Sequence, residues 1–251
     1  MKIGVFAAED VGLEVVRVFA DQNHAISCLV LDHQGDAEHN VTIRDLARCD
    51  HVFEADRLND DICFEEIRAL GLDLVILVWW PYIIRGRQFD LAERGFLNFH
   101  PSLLPYNRGK HYYFWNLVEG VPYGVTLHMI DEGIDSGVLA YQETVDTSWE
   151  DTGFTIRERG KAAILVLFKS VFARIAAGDI PAGHQDLDAG TFHWGSELDG
   201  ASQIDLDGTY RARDLLNILR GRSGFPAGGA WFVDEGEKFV MDLRIRRESD
   251  E

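Results

Sequence analysis

The chain is poor in positive charge, has only three cysteines and six prolines, and contains no long apolar run. Lys and Arg total 24 against 42 Asp and Glu, a formal net charge of -18 at pH 7. Binding to a phosphate backbone draws on clustered cations, so this balance argues against a nucleic-acid-binding surface, and no nucleic-acid partner is expected. It also argues against docking on an anionic membrane. No apolar stretch approaches the ~20 residues a membrane span needs. The opening Met-Lys-Ile-Gly-Val-Phe turns polar too soon for a secretory signal. Cys28, Cys49 and Cys63 form neither a CxxC nor an even disulfide set, which leads us to expect a reducing, cytoplasmic setting. No His/Cys cluster has metal-ligand spacing, so no metal is expected. A GxGxxG turn is missing too: the first strand-to-helix turn reads AAEDVG, with two acidic residues in place of a phosphate cradle.

What remains is an ordinary globular balance, 46% hydrophobic and 26% charged over 251 residues. Residues 2–7 and 26–31 are short apolar runs, and 73–80 (DLVILVWW) is the most continuous of them. Helical periodicity lies between them, through Val11, Val15, Val18 and Phe19 and again over 60–70. The polar stretch from Asp32 to Asn40 reads as a loop. This alternation predicts an α/β fold, a Rossmann-like, mostly parallel sheet with helices on both faces. Further on, the patterns predict a strand over 123–130, another over 138–145, and a long helix from Asp151 to about Ala177. Asp151 or Thr152 can cap that helix and Gly178 can stop it. Beyond Pro181 the composition turns polar. A helix over 209–219 and strands over 228–233 and 238–245, joined by a DEGE turn, form a small α+β accessory segment. The expected division is a catalytic domain, 1–180, and an accessory segment, 181–251, ending in a frayed RRESDE tail.

The segment richest in chemistry is NFHPSLLP, 98–105. Asn98 and His100 are two residues apart at the end of an apolar run, so an extended backbone points both to one face. Open α/β sheets bind ligands at such carboxyl ends. The alternative is that Asn98 satisfies turn backbone and His100 merely packs. In DEGIDSG, 131–137, Asp131 and Asp135 flank Gly133. A buried carboxylate beside His100 would fix its tautomer and raise its pKa, but spacing alone does not bring them together.

NFHPSLLPYNRG followed by GVTLHMIDEGIDSG resembles the core signature of the folate-dependent formyltransferase family, over roughly residues 1–180. The resemblance implies a catalytic Asn98, His100 and Asp135, the last lying 37 positions after the first. It implies N10-formyltetrahydrofolate as formyl donor and an amine as acceptor, with no metal. WWPYIIRG, 79–86, is similar to the segment whose backbone grips the pterin ring, which makes Tyr82 and Ile84 folate-side candidates together with Asp131. The Trp79-Trp80 pair departs from other members and has core packing as its alternative. His128 belongs to the family pattern as support for the site.

Within the family, the long form NRGKH resembles the N-formyltransferases of amino-deoxysugar nucleotides, and so does ARDLLNILRGRSGFPAGGAWF in the tail. That branch implies a dTDP- or GDP-linked 3- or 4-amino sugar as acceptor, a role in surface polysaccharide (O-antigen) assembly, and a homodimer through the C-terminal segment. A tRNA acceptor fits poorly, because residues 181–251 hold eight Lys/Arg against fourteen Asp/Glu. Glycinamide ribonucleotide fits poorly as well, given AAEDVG at the first turn. Arg108 and Lys110 are candidates for the acceptor's pyrophosphate. His193, in the TFHW patch with Thr191 and Trp194, is a candidate for the sugar-nucleotide cleft. Asp10 reads first as a helix N-cap, with a contact to the acceptor as the other possibility. A formyl-folate hydrolase and a non-catalytic folate or nucleotide binder are the competing functions.

Overall fold

The computed structural model describes residues 1–34 and 36–248. Strand and helix alternate through the first hundred residues: β1 (Ile3–Ala7), α1 (Glu9–Asp21), β2 (Ile26–Leu31), α2 (Ala37–Ala47), β3 (Val52–Glu54), α3 (Asp61–Ala69), β4 (Leu74–Val78) and β5 (Phe96–His100). Then come β6 (Arg108–Gly109), α4 (Tyr112–Glu119), β7 (Gly124–Met129), β8 (Leu139–Thr144) and α5 (Gly153–Ala176). The chain continues with β9 (Phe192–His193), α6 (Glu197–Ala201), α7 (Ala212–Gly221), β10 (Ala230–Asp234) and β11 (Glu237–Met241).

A seven-stranded sheet has the order β3-β2-β1-β4-β5-β7-β8. The pairs β1–β2, β1–β4, β2–β3 and β4–β5 are parallel. Ile130 N–H bonds Phe96 O and His128 meets Asn98, so β7 runs against β5. Bonds from Met129 N to Val138 O and from Val145 N to Tyr123 O make β7–β8 antiparallel. The sheet is therefore mostly parallel, as the alternating pattern predicts. β1 and β4 are buried at every position, the mark of strands covered on both faces.

The chain falls into two units by internal contact, the first being Met1–His100, Leu127–Tyr141 and Ile164–His184. In this unit, alternate residues of the strands feed two cores. Phe6, Val30, Leu77 and Phe96 pack with Cys63, Phe64 and Ile67 of α3. Phe99 faces the other way, its ring 5.0 Å from that of Phe168 on α5, and Phe19 of α1 stacks edge-on to Phe172 at 4.8 Å. Gly178, at φ +82, ends α5 by donating to Ile175 O while Asp179 N–H reaches Arg174 O, the Schellman stop expected there.

The second unit comprises Pro101–Thr126, Gln142–Ala163 and the chain from Gln185 onward. Tyr112, Leu117, Tyr123 and Ile156 form its small core. Thr152 Oγ1 accepts from Thr155 N–H at 3.3 Å at the start of α5, which makes Thr152 the capping side chain. The hairpin β10–β11 turns through Glu235 and Gly236, both at positive φ, inside the predicted DEGE.

Several expectations need correction. Residues 37–40 are not loop but the first turn of α2, because Asp36 Oδ1 accepts from Glu38 and His39 N–H and caps the helix. Asp10 is not the N-cap of α1. Ala8 holds that position, and Asp10 sits exposed in the first turn with Oδ1 accepting from Val11 N–H at 3.0 Å. β11 stops at Met241, short of Ile245, and α7 runs from Ala212 to Gly221. Of the predicted RRESDE tail, Ser249, Asp250 and Glu251 lie outside the described residues, as does Gly35 in the expected Asp32–Asn40 loop.

Candidate active site

The carboxyl end of β5 presents Asn98 and His100 on one face, as the two-residue spacing requires. β7 adds His128 beside them. Asp135, on the turn after β7, places Oδ2 3.4 Å from His100 Nδ1 and Oδ1 3.5 Å from His128 Nε2. His100 and His128 are buried, at 5% and 0% exposure, so little water screens the carboxylate from the rings. His128 Nδ1–H donates to Met129 O at 3.0 Å, and its Nε2 faces Asn98 Nδ2 at 3.1 Å. One amide N–H of Asn98 is thus held in place, and the other has no acceptor among the described residues.

The turn that carries Asp135 is built by its own residues. Asp131 Oδ1 accepts from Gly133 N–H at 3.0 Å and from Ser136 Oγ–H at 2.7 Å, an Asx turn. Asp135 itself adopts φ +51. A Cβ at Gly137 would lie 1.9 Å from Met129 O, so only glycine lets the chain pass this close to β7. Asp131, a folate-side candidate, is therefore also the side chain that organises the turn carrying Asp135.

Past the end of β4, Trp79 lies at φ +54 and begins a segment without regular structure. Among the described residues, no backbone N–H or carbonyl of residues 80–84 makes a hydrogen bond. The buried indole N–H of Trp80 also lacks an acceptor. Unspent polar groups of this kind suit a flat heterocycle rich in donors and acceptors. The Trp80 ring packs on Phe6 at 5.3 Å and on Tyr82 at 5.3 Å. Tyr82 donates its hydroxyl to Asp32 Oδ1 at 2.6 Å and stacks on His33. Burial and the Asp32 carboxylate push the Tyr82 phenol up to about 12. Ile84 is buried in the β-sheet core beside Phe96. Asp32 and His33, fifty residues upstream of Tyr82, are site neighbours that sequence reading missed.

The second unit carries the other candidates. β6 and β9 form a two-residue parallel ladder, Arg108 with Phe192 and Gly109 with His193. Gly109, at φ +89, would put a Cβ 2.2 Å from His193 O. Arg108 Nη2 lies 3.4 Å from Leu187 O, while Lys110 donates its backbone N–H to His193 O and keeps its ammonium exposed. His193 is stacked on Trp115 at 3.7 Å, with Nε2 2.7 Å from Glu119 Oε1 and Nδ1 3.0 Å from Glu197 Oε2. Glu119 Oε2 also accepts from Thr191 Oγ1 (2.8 Å) and Asn107 Nδ2 (2.7 Å). Both ring nitrogens of His193 are thus committed within the protein. Glu119 had no signal in the sequence, because its partners lie up to 74 residues away. Among the described residues, no group of His, Cys, Asp and Glu could hold a metal ion.

The fold recurs in known proteins. A sugar N-formyltransferase from Shewanella sp. FDAARGOS_354 superposes with a TM-score of 0.81 at 18% identity, over 98% of each chain. A 4-N formyltransferase from Francisella tularensis does so at 0.83 and 20%, again over 98% of each. An N-formyltransferase from Helicobacter canadensis, solved with folinic acid and dTDP-3-aminofucose, gives 0.66 and 17% over 88% of this chain and 80% of that one. Residues 197–247 match the N-formyltransferase dimerization C-terminal domain, and residues 6–168 match the Formyl transferase family. That second match spans most of the chain, including the turn that carries Asp135, and this protein belongs to the formyl transferase family.

Proposed function

We propose that the protein transfers the formyl group of N10-formyltetrahydrofolate to the amine of an amino-deoxysugar nucleotide. The observation that carries this reading is the convergence of Asn98, His100 and Asp135 at the carboxyl end of β5, steadied by His128. The folate, when bound, supplies a formyl carbonyl already activated by its bond to nitrogen. The unpaired backbone of residues 80–84 and the Trp80 N–H are the groups that fit its pterin ring, with Tyr82, Ile84 and Asp131 around them.

The chain's own residues do three things. Asn98 offers its remaining amide N–H, and His100 a ring N–H, to an oxygen that gains negative charge; each such donor is worth about 3 kcal/mol in comparable sites. Asp135 stabilises positive charge on His100 and takes up, through water, the proton the amine loses. Arg108 and Lys110 bind the diphosphate of the acceptor, with Asp10 as a further acceptor contact, whereas His193, its ring nitrogens held by Glu119 and Glu197, braces the loop that carries them.

The sugar-nucleotide branch is supported by full-length likeness to sugar N-formyltransferases, one solved with folinic acid and a dTDP-aminosugar, and by the C-terminal dimerization match. We further propose a catalytic domain over 1–180 and an accessory segment over 181–251 that pairs two chains. The site would work in the cytoplasm; among the described residues no helix is long and apolar enough to cross a membrane. A role in surface-polysaccharide assembly rests on the family resemblance alone.

The test is release of tetrahydrofolate across a panel of dTDP-, GDP- and UDP-linked 3-amino and 4-amino sugars, with water and glycinamide ribonucleotide as controls. Turnover is expected with one aminosugar nucleotide and is expected to vanish in Asp135→Asn and His100→Asn, while folate still binds. Lys110→Ala should raise acceptor KM far more than donor KM. Turnover with water alone, or with glycinamide ribonucleotide, would overturn the acceptor assignment.

A further inference from the structure

The second unit contains a cavity of about 480 Å³ lined by one face of α7, the end of α4 and the turn around Trp149. Its size falls within the ~300–1,000 Å³ of small-ligand sites. Arg213 and Arg220 hold their guanidinium carbons 4.9 Å and 4.6 Å from the centre of the Trp149 ring. Neither guanidinium meets a carboxylate among the described residues, in a chain where acids outnumber bases 42 to 24. Arg220 is only 9% exposed. Its Nε donates to Asn217 Oδ1 at 3.0 Å and its Nη1 to Ser148 O at 2.7 Å, both neutral acceptors, and Nη2 has no partner there. The Asp151 carboxylate is already claimed by Arg159 at 2.8 Å. Burial lowers the Arg220 pKa, with Asp151 only partly offsetting it.

A buried guanidinium supplied with neutral acceptors alone is a costly arrangement that a bound anion relieves. The acids lining the cavity do not compete for that place. Asp214 lies 3.8 Å from Arg211, and Glu119 is engaged by Asn107, Thr191 and His193. Two uncompensated guanidiniums suit a group with two adjacent negative charges. The volume exceeds what inorganic phosphate fills, and Trp149, 39% exposed, offers apolar surface for an organic portion. A nucleic-acid polymer would be repelled by the net charge of -18.

We infer that this cavity is a binding site for an organic diphosphate of nucleoside diphosphate size, held by Arg213 and Arg220 against Trp149. Isothermal titration of the full chain with dTDP, UDP and GDP tests it, with inorganic pyrophosphate in parallel. The expected result is an equivalent of nucleoside diphosphate that Arg213→Ala weakens at least tenfold, and that Trp149→Leu also weakens. Arg213 is exposed, so the melting temperature of Arg213→Ala should stay unchanged. The site is independent of the proposed reaction: a Lys110-dependent equivalent would report the acceptor, an Arg213-dependent one this cavity. Binding whose every equivalent survives Arg213→Ala, or no binding at all, overturns the inference. Equal affinity for inorganic pyrophosphate would overturn its organic part.

Discussion

Replacing Gly137 with alanine tests whether the turn after β7 sets the catalytic geometry. The added Cβ would sit 1.9 Å from Met129 O and 2.9 Å from Met129 C. Both atoms are backbone of β7, so no side chain can swing aside. Real Cβ contacts essentially never fall below 3.0 Å, and the turn must therefore retreat by roughly 1 Å. The pairs it carries, His100 to Asp135 at 3.4 Å and His128 to Asp135 at 3.5 Å, have no such slack. Misplacing a catalytic group by about 1 Å costs about a hundredfold in rate, or about 2.7 kcal/mol. Steady-state assay of Gly137→Ala should show kcat down by about two orders of magnitude, with donor KM within about threefold of wild type. Gly200→Ala, where a Cβ meets nothing within 4 Å, is the control and should be silent. A Gly137→Ala enzyme with kcat within about threefold of wild type would refute the reasoning, since the turn would then tolerate the shift without consequence.

Two further outcomes follow from the second unit. Glu119→Gln weakens hydrogen bonds to Asn107, Thr191 and His193, and removes the charge facing the His193 ring. A loss of about 2 kcal/mol lowers the melting temperature by roughly 4–8 °C, and an unchanged melt would show that the network carries no stability. Val233, Phe239 and Val240 are apolar and exposed on the hairpin β10–β11, in the region matching a dimerization domain. Val240→Asp should convert a dimer to a monomer in sedimentation velocity; a dimer that persists would move the interface elsewhere.

The elements read well from sequence are those whose signal is local. β2 and the span of α3 follow from apolar runs and helical periodicity that need no distant partner. α2 was hidden because its start depends on the Asp36 cap, a single polar side chain in an otherwise loop-like stretch. β6 and β9 are two residues each and exist only because residues 108–109 and 192–193 meet, which no local window contains. The site divides in the same way. Asn98 and His100 could be placed on one face from their spacing. The approach of Asp135 to His100 depends on the antiparallel return of β7 beside β5, and only the resemblance supplied it in advance; the approach of Asp135 to His128 came with the structure. Tyr82 was marked as a candidate, yet its hydroxyl partner Asp32 and stacking partner His33 became visible only with the sheet assembled.

Asp135 holds a left-handed backbone conformation at φ +51, and Trp79, a bulky residue for which this is rarer still, lies at φ +54. At both positions glycine would relax the backbone, so a search for heat-resistant variants would be drawn to them. At 135 any such gain removes the carboxylate between His100 and His128. Selection for thermal survival alone should therefore enrich folded, inactive enzymes, and libraries built for robustness need these two codons held constant.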